Sequence, residues 1–138
     1  MTTCNNITIN VKAYREGKRD FSVQELNEIK LYFLKYKDQL QGTEFFEGIL
    51  KGYKVVSCVA TDYYSEFISY MLQQHAASIA VIVDPQAKHV LFQKNSTCSV
   101  DIYKLTDILC GDHTILDNIV VGKLTKPFLT FTKTLKPC

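Results

Sequence analysis

The sequence lacks several things that would narrow its function at once. It has no Cys-x-x-Cys pair: its five cysteines, Cys4, Cys58, Cys98, Cys110 and Cys138, are odd in number and widely spaced. Two of the three histidines, His75 and His89, lie far along the chain from any cysteine. That spacing argues against a zinc site and against a disulfide framework, and reduced thiols in a cytoplasmic protein are the simpler expectation. There is no apolar run near the ~20 residues that span a bilayer, so no membrane association is expected. The opening "MTTCNNITIN" has neither the basic start nor the apolar stretch of a secretory signal. Strong charge of one sign is also missing. With 16 basic and 14 acidic residues the net charge is +2, too small for nucleic-acid binding through bulk electrostatics. Any such binding would have to be local. No repeat and no low-complexity segment is visible.

What is present fits one globular domain. The 138 residues are 46% hydrophobic and 22% charged, enough to fold without a metal or a disulfide. "NITINVKAY" alternates Ile7, Ile9 and Val11 with polar neighbours, which predicts a half-buried strand. "REGKRD" reads as a charged turn, a solvated loop rather than a phosphate contact. "SVQELNEIKLYFLKYKDQLQG" is the clearest helix. Ser22 and Glu25 form a capping box, Leu26, Ile29, Phe33, Tyr36 and Leu40 share a face, and Gly42 ends it. "TEFFEGIL" reads as a short helix, and the Phe45–Phe46 pair cannot both face one small core, so one is expected in an interface.

From Tyr53 onward the pattern changes. "YKVVSCVA" and "SIAVIVD" are short, β-branched and apolar, as in strands buried on both faces. Between them, "YYSEFISYMLQQHA" is a helix that Thr61 or Asp62 can cap. Strand, helix, strand at this length is a crossover unit with parallel strands. "PQAK" is a turn into the strand "HVLFQK", antiparallel to its predecessor. Ser99 can cap a helix in "VDIYKLTDIL", with Ile102, Leu105 and Ile108 or Leu109 on its face. "DNIVVGKL" and "FLTFTKTL" close the chain as strands. The expected fold is α/β: a mixed five-stranded sheet with helices on its faces over residues 52–138. Before it, residues 1–51 supply a strand and a long helix as an arm or linker remnant.

The chemistry-bearing stretch is "LCGDH", residues 109–113. Gly111 can take a positive φ that ends the helix and turns backbone amides outward, and outward amides with a nearby imidazole hold an anion. The alternative is a plain helix cap with a surface histidine. A thiol mechanism would pair Cys110 with His113, but close neighbours in a loop rarely reach the required geometry.

The order of elements in "VVSCVATDYYSEFISYML", "HAASIAVIVDPQAKHVLFQK" and "VDIYKLTDILCGDH", followed by Val120, Val121 and Gly122, resembles the DHHA1 domain, the C-terminal half of DHH-family phosphoesterases. In that family a Gly-Gly-Gly-His loop contacts the phosphate of a nucleotide or short oligonucleotide. The resemblance implies that Gly111 and His113 bind phosphate, with Cys110 and Asp112 in place of two glycines. Many members carry a substrate-reading arginine on the hairpin strand, where Gln93 and Lys94 are the nearest residues here. The family's hydrolytic chemistry comes from two manganese ions in a DHH domain, whose motifs this chain does not contain. Catalytic residues and a metal site of its own are therefore not expected, and activity is left open. The expected function is a non-catalytic module that binds a phosphorylated nucleotide or short oligonucleotide. It would be a fragment of a DHH phosphoesterase or a partner to one. The alternative is a structural protein that forms oligomers and whose phosphate loop no longer binds.

Overall fold

The computed structural model describes residues 3–116 and 118–138. It divides into two compact units, the first ending at Gly42 and the second running from Thr43 to Cys138. The boundary falls before residue 51 because residues 46–50 belong to the sheet.

The first unit is a pair of helices, α1 (Thr3–Arg15) and α2 (Val23–Gln41). The expected strand at its start is thus a helix. The burial explains why. Val11 is 1% exposed while Ile9 is 64% exposed. A strand would put both on one face, whereas an α-helix rotates them roughly 200° apart. Tyr14 packs its ring against Phe33 of α2 at 5.8 Å. The "REGKRD" turn also does more than meet solvent. Arg19 donates to the carbonyls of Tyr14 and Lys18, each at 2.8 Å, and lies over the Tyr14 ring at 4.0 Å, so it satisfies acceptors at the end of α1. α2 starts as expected: the Glu25 amide donates to Ser22 Oγ at 3.1 Å, and the Ser22 amide to Glu25 Oε1 at 2.9 Å. Gly42 caps its other end.

The second unit is a mixed sheet of seven strands rather than five. In chain order its elements are β1 (Phe46–Leu50), β2 (Tyr53–Val59), α3 (Tyr64–Gln74), β3 (Ile79–Asp84), β4 (His89–Lys94), α4 (Ile102–Cys110), β5 (Thr114–Leu116), β6 (Ile119–Lys123), α5 (Lys126–Thr132) and β7 (Lys136–Pro137). The strand order is β5-β6-β4-β3-β2-β1-β7, and only the β2–β3 pair, joined through α3, is parallel. Asp117, the first residue of the expected strand "DNIVVGKL", lies outside the described residues.

Two expectations reverse. "TEFFEGIL" is not a helix. Lys51 and Gly52, with φ of 52° and 86°, make the two-residue loop of a hairpin that pairs β1 with β2 from Leu50↔Tyr53 to Phe46↔Ser57. Phe45, just before β1, packs on Tyr70 and His75, while Phe46 lines a pocket with Phe128 on the other side of the sheet. The pleat resolves their crowding. "FLTFTKTL" is not a strand either. Thr125 accepts from the Phe128 amide as N-cap, a proline stands in the first turn, and Phe128 meets Phe92 edge-on at 6.0 Å inside the core.

One sheet face carries Val55, Ile79, Val81, Val90 and Phe92 beneath α4 and α5. The alternate residues Val56, Ala80, Ile82 and Leu91 are buried on the other face, where α3 packs with Phe67, Ile68 and Met71. Two caps differ from expectation. The N-cap of α3 is Tyr63, left-handed at φ 58°, while Asp62 accepts from the Tyr63 amide. α4 is capped by Asp101 rather than Ser99, through the Lys104 amide at 3.1 Å.

Candidate ligand site beside α4

α4 has a sharply two-sided sequence. Ile102, Leu105, Thr106, Leu109 and Cys110 are buried, whereas Tyr103 and Ile108 are about half exposed. Cys110 is therefore the last inward residue of the helix and not a loop residue. Burial pushes its thiol up to about 12, which leaves it a poor nucleophile at neutral pH. Gly111 has the positive φ, 75°, that the turn requires, and its amide donates back to the Asp107 carbonyl at 3.0 Å.

His113 does not point free. Its Nδ1 lies 2.5 Å from Asp107 Oδ1, and its ring is 5.3 Å from that of Tyr103. With the carboxylate accepting at Nδ1, the neutral ring is left with an acceptor at Nε2. An anion would find a donor at Nε2 only on the protonated ring.

Gln93 and Lys94 end β4, two strands from the β5 edge. They line a pocket of about 460 Å³ together with Gln73, Asn95, Tyr103 and Asn118, over a floor that includes Ile102 and Val120. Lys94 Nζ donates to the Cys98 carbonyl at 2.7 Å, which holds the ammonium at the pocket wall and leaves further protons to donate. The expected site residues thus separate. Gln93 and Lys94 are in the pocket. Gly111 and His113 are not among its lining, and Asp112 is exposed outside it. Tyr103 joins the two halves, since it lines the pocket and packs against His113. Sequence reasoning missed Tyr103 and Asn118. A large aromatic at an outward position of an amphipathic helix was the available sign.

The arrangement offers one cation, several amides that both donate and accept, and an aromatic edge. Groups of these kinds can pair with an anion and pack against a planar ring. They supply no nucleophile with an adjacent base. Among the described residues no group of three His, Cys, Asp or Glu side chains could hold a metal ion, so the residues described do not fit manganese.

No protein-family model and no curated protein matches the chain. Among solved structures, an uncharacterized protein from Helicobacter pylori G27 is similar, with a TM-score of 0.47 and 16% sequence identity. The similarity covers 78% of this chain and 29% of that one, so the chain spans less than a third of its neighbour's length.

Proposed function

We propose that the chain is a non-catalytic, DHHA1-like module that binds a phosphorylated nucleotide or short oligonucleotide. The observation that carries the reading is the pocket at the end of β4, where Lys94, two or more amide side chains and Tyr103 converge on a volume of about 460 Å³. That volume is in the range of small-molecule sites. In this reading Lys94 meets the phosphate as a point charge, Gln93 and Asn118 hydrogen-bond the base or sugar, and Tyr103 supplies a ring for stacking. His113 is a positioning residue that backs Tyr103. Hydrolysis would have to come from a DHH domain and its manganese ions, in another chain or another part of a longer protein. No helix among the described residues is long and apolar enough to cross a membrane. A cytoplasmic setting goes with this reading, because Cys58, Cys98, Cys110 and Cys138 are all free thiols.

The test is an amide chemical-shift titration with adenosine 3′,5′-bisphosphate and with a short RNA at low salt. Shifts should cluster at Gln93, Lys94, Tyr103 and Asn118, and Lys94→Met should weaken binding at least ~10-fold. A flat titration at millimolar ligand overturns the reading. One observation favours self-association instead: β5 is the outermost strand, and its Ile115 and Leu116 are 58% and 56% exposed. Sedimentation showing a dimer that Ile115→Lys dissociates would support that alternative.

A further inference from the structure

A second pocket opens where β2 and β3, the parallel pair, end. Carboxyl ends of parallel strands are the usual place for ligands in α/β sheets. This pocket holds about 350 Å³ and lies under α5, walled by Phe46, Val83, Phe128, Leu129 and Leu135. Gly48 helps to make the wall. A Cβ there would meet Leu135 Cδ2 at 2.7 Å, so glycine is what lets Leu135 lie this close to the sheet.

Two hydroxyl residues line the pocket, and Ser57 is the one left to meet a ligand, because the Thr132 hydroxyl donates to the Leu129 carbonyl at 2.6 Å. Along β2, Ser57 shares a face with Val55, a core residue, and with Val59. Its cross-strand neighbours are Phe46 and Val81. Every neighbour on that face is apolar, and a valine at 57 would extend the core. The serine leaves space and adds a hydroxyl. Ser57 is only 5% exposed and lines the pocket, and its hydroxyl makes no side-chain hydrogen bond to another described residue. No buried side-chain polar atom among the described residues is left without a partner, so this hydroxyl is not sealed in the core but stays accessible to water or a ligand. No residue lining the pocket carries a formal charge. A phosphate or carboxylate would lose its hydration there with no cation to receive it.

The geometry points to a ligand site at the ends of β2 and β3 for a compact, neutral, apolar molecule with one hydrogen-bonding group, which Ser57 receives. Such a molecule is an aromatic or branched aliphatic alcohol, amide or ketone. The site shares no residue with the pocket at Lys94 and stands independently of the nucleotide reading.

The probes are benzyl alcohol, toluene and benzoate, followed by methyl and amide shifts of the full chain. Benzyl alcohol should move the methyls of Val59, Val83, Leu129 and Leu135. Toluene should bind more weakly, and benzoate should leave them in place. Ser57→Ala should cost benzyl alcohol roughly 2–10-fold in affinity and leave toluene unchanged, the usual net value of one hydrogen bond. Ser57→Val should fill the space and exclude both while the chain stays folded. Absence of shifts at these methyls overturns the proposal. So does benzoate binding as tightly as the alcohol, or an alcohol affinity indifferent to Ser57→Ala.

Discussion

Gly122 is the position where one added methyl group should cost most. It sits in β6 opposite Val90 of β4, directly under α4. A Cβ built there lies 2.5 Å from Cys110 Cβ, 3.0 Å from Thr106 Cγ2 and 3.3 Å from Cys110 Sγ. Carbon atoms in contact prefer roughly 3.5–4.0 Å. The first of these atoms cannot rotate away, because a Cβ is fixed by its backbone. α4 must therefore lift by about 1 Å, or β6 must sink against a sheet held on both sides by β4 and β5. Lifting α4 withdraws Leu105 and Leu109 from the core shared with Val90, Phe92 and Val120. Overpacking of this kind costs about 1–3 kcal/mol, and the rigidity of both partners places Gly122→Ala at the upper end. For a domain near this size that is a fall in Tm on the order of 10 °C.

Urea unfolding is the assay, with the midpoint and slope fitted separately. A double-mutant cycle with Cys110→Gly isolates the contact. Removing the opposing Cβ should make Gly122→Ala at least ~1 kcal/mol cheaper than in the parent chain. A cost below about 0.5 kcal/mol for Gly122→Ala, or the same cost with and without Cys110, would refute the packing argument. Tyr103 rides on the same helix, so in the proposed nucleotide reading the lifted α4 should also weaken binding, although Gly122 is not among the residues lining the pocket.

Asp84 closes the β3–β4 turn. Burial pushes its carboxyl up, but the Tyr64 hydroxyl and the amides of Ala87 and Gln86 outweigh burial and hold it below the ordinary 3.8. The unfolded chain therefore takes up this proton first as pH falls, so the stabilisation is complete above about pH 5 and is lost as pH drops through 4 and below. Unfolding free energies measured from pH 3 to 6 should show that slope, and Asp84→Asn should flatten it. The partner behaves in the opposite sense. Tyr64 is raised to about 12 by burial first and by Asp84 second, so its contribution is full below pH 10 and fades as pH approaches 12. Tyr64→Phe should cost roughly 1–3 kcal/mol at neutral pH, because it removes a hydrogen bond from a buried carboxylate. In the first unit, Ser22→Ala should cost about 1 kcal/mol. Amide exchange should speed up in the first turn of α2 and leave the sheet unaffected.

Local signals were readable wherever one interaction decides the element. α2 begins after Ser22 because two reciprocal hydrogen bonds between Ser22 and Glu25, three residues apart, fix its first turn. The β2–α3–β3–β4 order follows from apolar runs too short for helices and from the Asp-Pro turn after β3. The misread segments are those where two periods compete. Ile7, Ile9 and Val11 alternate, yet the alternation covers too few positions to outweigh the helix, which buries Val11 and leaves Ile9 exposed. Phe128 and Phe131 are three apart, the helical spacing, but the threonines between and after them imitate a strand. For β1 the deciding residues lay outside the segment, in Lys51 and Gly52.

The site was half legible for a related reason. Gln93 and Lys94, named in the sequence through the resemblance, stand at the end of β4 and line the pocket. Tyr103 was not named, since its place depends on how α4 is rotated about its axis over the sheet. A Cβ at 122 would meet Cys110 and Thr106, so the glycine is what lets this face of α4 lie close against β6. Cys110 stands where the resembled family carries a glycine, and it reads in isolation as damage to a phosphate loop. Set against Gly122, it is instead the side chain that fills the space the strand glycine leaves. It seats the C-terminal turn of α4, and so directs Tyr103 outward toward both His113 and the pocket. In the proposed reading, a cysteine at 110 puts the weight of ligand binding on the helix face, so the test of function falls at Lys94 and Tyr103 rather than at Gly111.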